Sequence, residues 1–150
     1  MNLEPVILDT DTLSELSRGH PRVCERALVY LSRFGRLTFT SVTVFERLRG
    51  YRLVIQSGKP FERQMRSFEA LVANSIVLPF DIDAATIAAN LWSHASRAQR
   101  RQIGDILIAS IAVSRQLPLV TRNQRDFEAL VNASNIALRL LDWSKTERRK

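Results

Sequence analysis

Carboxylates recur in this 150-residue sequence where apolar runs give way to helical patterns. Asp9 closes Val6-Ile7-Leu8, and Asp11 follows two residues later. Glu46 lies just past the run Leu37–Thr40, in Thr43-Val44-Phe45-Glu46. Asp105 follows Gly104 at the opening of Ile103–Arg115, while Asn123 and Asp126 follow Leu119-Val120-Thr121. Taken singly, each acid also suits a helix end, because the helix dipole favours negative charge at an N-terminus. Thr12…Glu15 and Thr43…Glu46 both match the capping-box pattern. Taken together, the acids pose an electrostatic problem. Two carboxylates about 4 Å apart repel by about 4 kcal/mol at an effective dielectric near 20, so several converge only if protonated or sharing a cation. Mg2+ resolves the conflict: it prefers carboxylate and water oxygens and needs neither histidine nor cysteine. Such an ion lowers the pKa of a bound water, orients it for in-line attack on a phosphodiester and neutralises charge on the transition state.

The charge balance fits that chemistry. Against 15 acids stand 22 basic residues, a net charge of +7, and only Lys59, Lys145 and Lys150 are lysines. Guanidinium groups pair with phosphate through a bidentate fork, so an arginine-rich basic chain suits a polyanionic partner. A phosphate approaches clustered acids only past a cationic rim, for which Arg47, Arg49, Arg122 and Arg125 are the candidates. Cys24 is alone, which excludes an intrachain disulfide and a cysteine metal cluster. His20 and His94 lack the spacing of a ligand pair, Trp92 and Trp143 are expected in packing, and Asp83 is expected to cap the helix after the third strand.

The elements that must position these residues alternate. Short β-rich runs at Val6–Leu8, Leu37–Thr40, Ile76–Phe80, Leu119–Thr121 and Ile136–Leu141 are separated by helical patterns at Arg22–Phe34, Val44–Gln56, Phe61–Ala73, Ala84–Arg97 and Ile103–Arg115. That order predicts an α/β fold, a central parallel sheet of about five strands flanked by helices. Ligands of such sheets gather outside the carboxyl ends of the strands, the edge where the acids recur. One domain over residues 1–143 is expected, followed by a polar, basic tail over residues 144–150. The acidic N-terminus lacks the pattern of a signal peptide and no apolar run reaches membrane-spanning length, so a soluble, cytoplasmic protein is expected.

These segments resemble the PIN-domain family, and within it the VapC-type toxins of bacterial toxin–antitoxin pairs. The likeness rests on Ile7-Leu8-Asp9-Thr10-Asp11-Thr12-Leu13-Ser14-Glu15-Leu16, on Thr43-Val44-Phe45-Glu46, on Ile103-Gly104-Asp105-Ile106-Leu107-Ile108-Ala109 and on Val120-Thr121-Arg122-Asn123-Gln124-Arg125-Asp126-Phe127. The resemblance implies that Asp9, Glu46 and Asp105 bind one or two Mg2+ or Mn2+ ions. The fourth acidic position is open: Asn123 stands where many members place an aspartate, and Asp126 comes one helical turn later. Thr12 and Thr121 resemble positions that brace the metal ligands, with Arg122 and Arg125 toward substrate. The family further implies an endoribonuclease acting on structured RNA, inhibited by a small antitoxin. It also implies a homodimer that reaches operator DNA through the antitoxin complex.

Two other readings fit parts of the sequence. Asp9-Thr10-Asp11-Thr12 also resembles the aspartyl-nucleophile motif of haloacid-dehalogenase phosphatases, in which Asp9 attacks phosphorus and Asp11 serves as acid and base. That chemistry needs a later site lysine, which Lys59 does not supply, and leaves Glu46 without a task. A non-catalytic nucleic-acid or partner-binding module would use the arginines alone, but clustered acids weaken phosphate binding unless a metal offsets them.

Overall fold

The computed structural model describes residues 3–146. Five strands, β1 (Ile7–Leu8), β2 (Thr38–Thr40), β3 (Ile76–Leu78), β4 (Leu119–Val120) and β5 (Leu140–Leu141), form parallel ladders. They divide into a three-stranded sheet ordered β1-β4-β5 and a two-stranded sheet of β2 and β3, with β1 lying beside β2. The expected α/β architecture is present, with the single sheet split at the β1–β2 junction.

Adjacent strand residues face opposite layers, as the period of two requires. Ile7 and Leu119 enter one core, with Ala88, Leu91, Ile106, Ile111 and Phe127. Leu8 and Val120 enter the other, with Val23, Tyr30, Phe39, Phe68 and Trp143. The first core lies beneath α5 (Ile82–His94), α7 (Ile103–Arg115) and α8 (Gln124–Ala133); the second lies beneath α2 (Pro21–Phe34), α3 (Ser41–Gln56) and α4 (Glu62–Ala73). Strands covered on both faces read as continuous apolar runs, which is why Val6–Leu8 and Leu119–Val120 stand out in the sequence. Each fully buried side chain such as Phe39 or Phe127 contributes roughly 1.5–3 kcal/mol of transfer free energy.

Two short helices, α1 (Thr10–Ser17) and α6 (Arg97–Arg101), complete the chain. The expected helix Ala84–Arg97 is instead two elements, because Ser96 starts a new one: its hydroxyl accepts from Gln99 N–H while the Gln99 side chain accepts from Ser96 N–H. Helix starts also differ from the sequence expectation. Asp9, not Thr12, caps α1; Thr40, not Thr43, caps α3; Asp81, not Asp83, caps α5. In each case the helix starts two or three residues earlier than the polar pattern suggests, and a side-chain oxygen at or just past the strand end takes a free N–H group. Trp143 packs on Tyr30 as expected. Trp92 does not enter the core; it is 41% exposed, with the Arg100 guanidinium 5.2 Å from its ring. Within the expected tail, Ser144 donates to Asp142 Oδ1, and residues 147–150 lie outside the described residues. Among the described residues, no helix is long and apolar enough to cross a membrane.

Candidate active site

β1 stops at Leu8 and α1 begins at Thr10, so Asp9 sits on the junction with its carboxylate turned inward. Its Oδ1 accepts from Thr10 N–H at 2.8 Å and its Oδ2 accepts from the buried Thr121 hydroxyl at 2.9 Å. Thr121 follows β4, the neighbouring strand, so the parallel register Leu8↔Val120 brings these two residues together. Asp11, in the first turn of α1, accepts from Arg122 N–H at 3.3 Å. The Thr12 hydroxyl donates to Val120 O at 3.1 Å, tying α1 down over β4.

Glu46 reaches the same place from the second turn of α3. The Thr10 hydroxyl donates to its Oε1 at 2.8 Å. Because that hydroxyl has one proton, the 3.0 Å contact between Thr10 and Thr43 has Thr43 as donor. Thr40 in turn donates to Thr43 at 3.4 Å, so a chain of three hydroxyls ends on the carboxylate. Asp105 approaches from the first turn of α7, its N–H bonded to Gln102 O at 3.0 Å.

Asp9, Thr10, Asp11, Ser14, Arg18, Glu46, Gln102, Asp105 and Asn123 line one open hollow of about 330 Å³ at the carboxyl ends of β1, β2 and β4. A hollow of about 550 Å³ between α7 and the segment Ile136–Arg139 is larger, but among the described residues Glu128 is the only acid lining it. The chemistry, and not the size, selects the site.

The clustering perturbs the acids. Asp9 is 5% exposed. Burial first, and then the Asp11 charge, pushes its pKa from 3.8 up to about 8, against the opposing bonds from Thr121 and Thr10. Asp105 rises to about 6, through burial and then the charges of Glu46, Asp126 and Asp11. Among the described residues, the one cation lining the hollow is Arg18, and its guanidinium is paired with Glu15 at 2.6 Å. The negative charge is therefore short of compensation. The donors are all oxygens, which suits a hard divalent cation. Among the described residues, no three acids, histidines or cysteines are arranged to hold an ion by themselves. A cation that keeps most of its water needs only one or two direct carboxylates, so the donor set fits Mg2+ better than a closed metal cage.

Of the residues singled out in the sequence, Asp9, Glu46 and Asp105 share the hollow, with Thr12 and Thr121 beneath it. At the fourth position, Asn123 lines the hollow, its N–H bonded to the Thr121 hydroxyl at 3.0 Å. Asp126 is exposed and lines an adjoining hollow, which it shares with Asp105 and Gln102. Arg122 is at the edge, paired with Glu15 at 3.1 Å, and Arg125 is exposed nearby. Arg47 is not on the rim. Its guanidinium donates to Ser14, Ser17 and Tyr51 and lies over the Tyr51 and Phe68 rings. Arg49 stacks on Phe45. Sequence reasoning left out Thr10, Ser14, Arg18 and Gln102, and noted Asp11 without placing it in the site. The signal for three of them is the i, i+4, i+8 spacing of Thr10, Ser14 and Arg18, one face of a helix. Eight residues are too few for that periodicity to stand out.

The fold and this acidic hollow define a PIN domain. Residues 6–132 match the PIN domain family, and the chain belongs to it. Ribonuclease VapC5 of Mycobacterium tuberculosis is 33% identical over 133 residues, covering 88% of this chain and 92% of the relative. The tRNA(fMet)-specific endonuclease VapC of Shigella flexneri is 36% identical over 112 residues, 73% and 77% of the two chains. Among solved structures, the DNA-bound VapBC of Salmonella typhimurium superposes with a TM-score of 0.70 at 26% identity, covering 94% of this chain and 99% of that one. Family membership removes the phosphatase alternative, and among the described residues no lysine lines the hollow that holds Asp9.

Proposed function

We infer that this chain is an endoribonuclease, the toxin of a toxin–antitoxin pair, and that its hollow binds Mg2+, with Mn2+ as a substitute. The observation that carries the reading is the meeting of Asp9, Asp11, Glu46 and Asp105 from three separate crossover segments, with Asp9 and Asp105 pushed up by burial first and then by the charge of their neighbours. When bound, a divalent cation supplies a lowered pKa to coordinated water and positive charge against a phosphodiester in its transition state.

The chain's own residues prepare the place. The Thr10 hydroxyl aims the Glu46 carboxylate by donating to its Oε1, while Asp9 is fixed through both oxygens, Oδ1 by Thr10 N–H and Oδ2 by the Thr121 hydroxyl. Asp9, Glu46 and Asp105 would hold a divalent cation, whose charge would favour the ionised forms of Asp9 and Asp105 against the burial and like charge that raise them. Asn123 offers an uncharged amide at the fourth position, suited to a phosphate oxygen or an ordered water. Arg18 and Arg122 share Glu15 Oε1 at the entrance, so two guanidinium groups are held by one acid and present positive charge to an approaching backbone. The substrate is structured RNA, the partner is a small antitoxin, and operator DNA is reached through their complex. The relatives named ribonuclease VapC and the VapBC complex bound to DNA support these assignments. A homodimer completes the proposed assembly.

The test is cleavage of purified bacterial RNA by the full chain, in Mg2+ and in chelator, beside Asp105→Asn. Cutting that needs Mg2+ and falls at least 100-fold in the variant is expected. Cutting that persists in chelator, or that Asp105→Asn leaves intact, sinks the reading.

A further inference from the structure

The five glycines of this chain separate by what they are for. Gly19, Gly35 and Gly58 have φ of +79°, +80° and +92°, the left-handed region where a side chain is strained. Gly104 lies in the first turn of α7, whose helical backbone is open to any residue and where glycine is less favourable than alanine by roughly 0.5–1 kcal/mol. Conformation therefore does not call for it. Space does. A Cβ at position 104 would lie 2.6 Å from Glu46 Oε2, 3.1 Å from its Cδ and 3.4 Å from its Oε1, whereas at each of the other four glycines it would meet nothing within 4 Å. The Glu46 carboxylate occupies the place where a methyl group would stand. From its other side, Oε1 takes the Thr10 hydroxyl at 2.8 Å. The carboxylate is thus clasped between a hydroxyl of α1 and the bare backbone of α7, one residue before Asp105.

We infer that Gly104 is a positioning residue for Glu46: its missing side chain lets the carboxylate lie beside Asp105, so that both face one cation. The inference rests on the reading of the hollow as a divalent-metal site. When the two groups collide, the weaker support yields. α7 cannot retreat, because Ile106, Ile108 and Ala109 pack its inner face into the core with at most 1% exposure. Glu46 is a half-buried, flexible side chain, and it moves instead. Gly104→Ala therefore keeps the fold and breaks the juxtaposition of the two acids.

Mn2+ binding to the full-length chain, followed by calorimetry and by the electron paramagnetic resonance of free Mn2+, reads this without RNA or turnover. Wild type is expected to bind saturably, and Gly104→Ala roughly 10–100-fold more weakly, the usual range for losing a group that orients a ligand. In chelator, Gly104→Ala should melt at or above the wild-type temperature, since alanine is the better helix former. In a Glu46→Ala background the side chain it displaces is gone, so Gly104→Ala should change Mn2+ affinity less than twofold. Wild-type binding with Gly104→Ala within twofold of it overturns the inference alone. An equal loss in both backgrounds overturns it too, as does a lower melting temperature in chelator. No saturable Mn2+ binding by wild type overturns the metal reading and this inference together.

Discussion

Replacing Asp9 with asparagine should make the metal-free protein more stable while abolishing its response to metal. The native carboxyl is buried and surrounded by like charge, so its pKa is about 8 against 3.8 in the unfolded chain. Between those values the native state holds a proton that the unfolded state has released. By linkage, stability then falls as pH rises through that window, and is flat above about pH 8. At pH 7 about three pH units of mismatch, at about 1.4 kcal/mol each, set a ceiling of about 4 kcal/mol on the penalty from this one group. Asp105 acts in the same direction between its unfolded value of 3.8 and about 6, by less, because it is only partly buried. Asparagine does not ionise, and its amide can still accept from Thr10 N–H and meet the Thr121 hydroxyl. For a chain of this length 1 kcal/mol corresponds to roughly 2–4 °C, so at pH 7 the variant should melt as much as roughly 8–16 °C above wild type in chelator. Adding Mg2+ at 100 times its dissociation constant should raise wild type by about 2.7 kcal/mol and leave Asp9→Asn unmoved. Thermal melts from pH 5 to pH 9, with chelator or with Mg2+, measure both effects. A metal-free wild type whose stability is level or rising from pH 5 to pH 8 would refute the electrostatic reasoning, as would an Asp9→Asn protein that Mg2+ still stabilises.

Thr121→Val removes the donor to Asp9 Oδ2 and the acceptor for Asn123 N–H. Chemical denaturation should show a loss of about 1–3 kcal/mol, with the falling limb of the pH–stability curve extended upward, because the Thr121 bond holds the Asp9 pKa down. Arg47→Met should lower the denaturation midpoint by an amount equivalent to about 1–3 kcal/mol, through lost bonds to Ser14, Ser17 and Tyr51, while leaving RNA affinity unchanged. An unaltered midpoint with weakened RNA binding would return Arg47 to the rim. Arg18→Ala, placed in an Asp105→Asn chain so that RNA is bound but not cut, should reduce the slope of log affinity against log salt by about one; an identical slope would show that Arg18 touches no phosphate.

Much of the site was legible because a parallel α/β chain writes its functional edge into the sequence. Each apolar run ends where the strand does, and the next polar residue stands at the carboxyl edge. Asp9 and Thr121 were found in that way; Glu46 and Asp105 lie inside α3 and α7 and stood out as acids near the openings of helical patterns, and the resemblance to PIN domains rests on the same segments. Helix starts were less legible. Thr12 and Thr43 have the residue types of caps, yet Asp9 and Thr40 precede them and take the role, freeing Thr12 for Val120 O and Thr43 for the hydroxyl chain to Glu46.

The sequence by itself determined the class of fold, the net positive charge and the acids that meet, since these follow from strand period, residue type and order along the chain. Only the tertiary structure decided that Arg47 turns away while Arg18 lines the hollow, that Asn123 and not Asp126 shares it, and that Glu46 lies where Gly104 has no side chain. Those outcomes depend on the rotation of each helix about its own axis. That rotation is set by how its buried face packs against the two cores, so neighbouring residues such as Glu46 and Arg47 point to different surroundings.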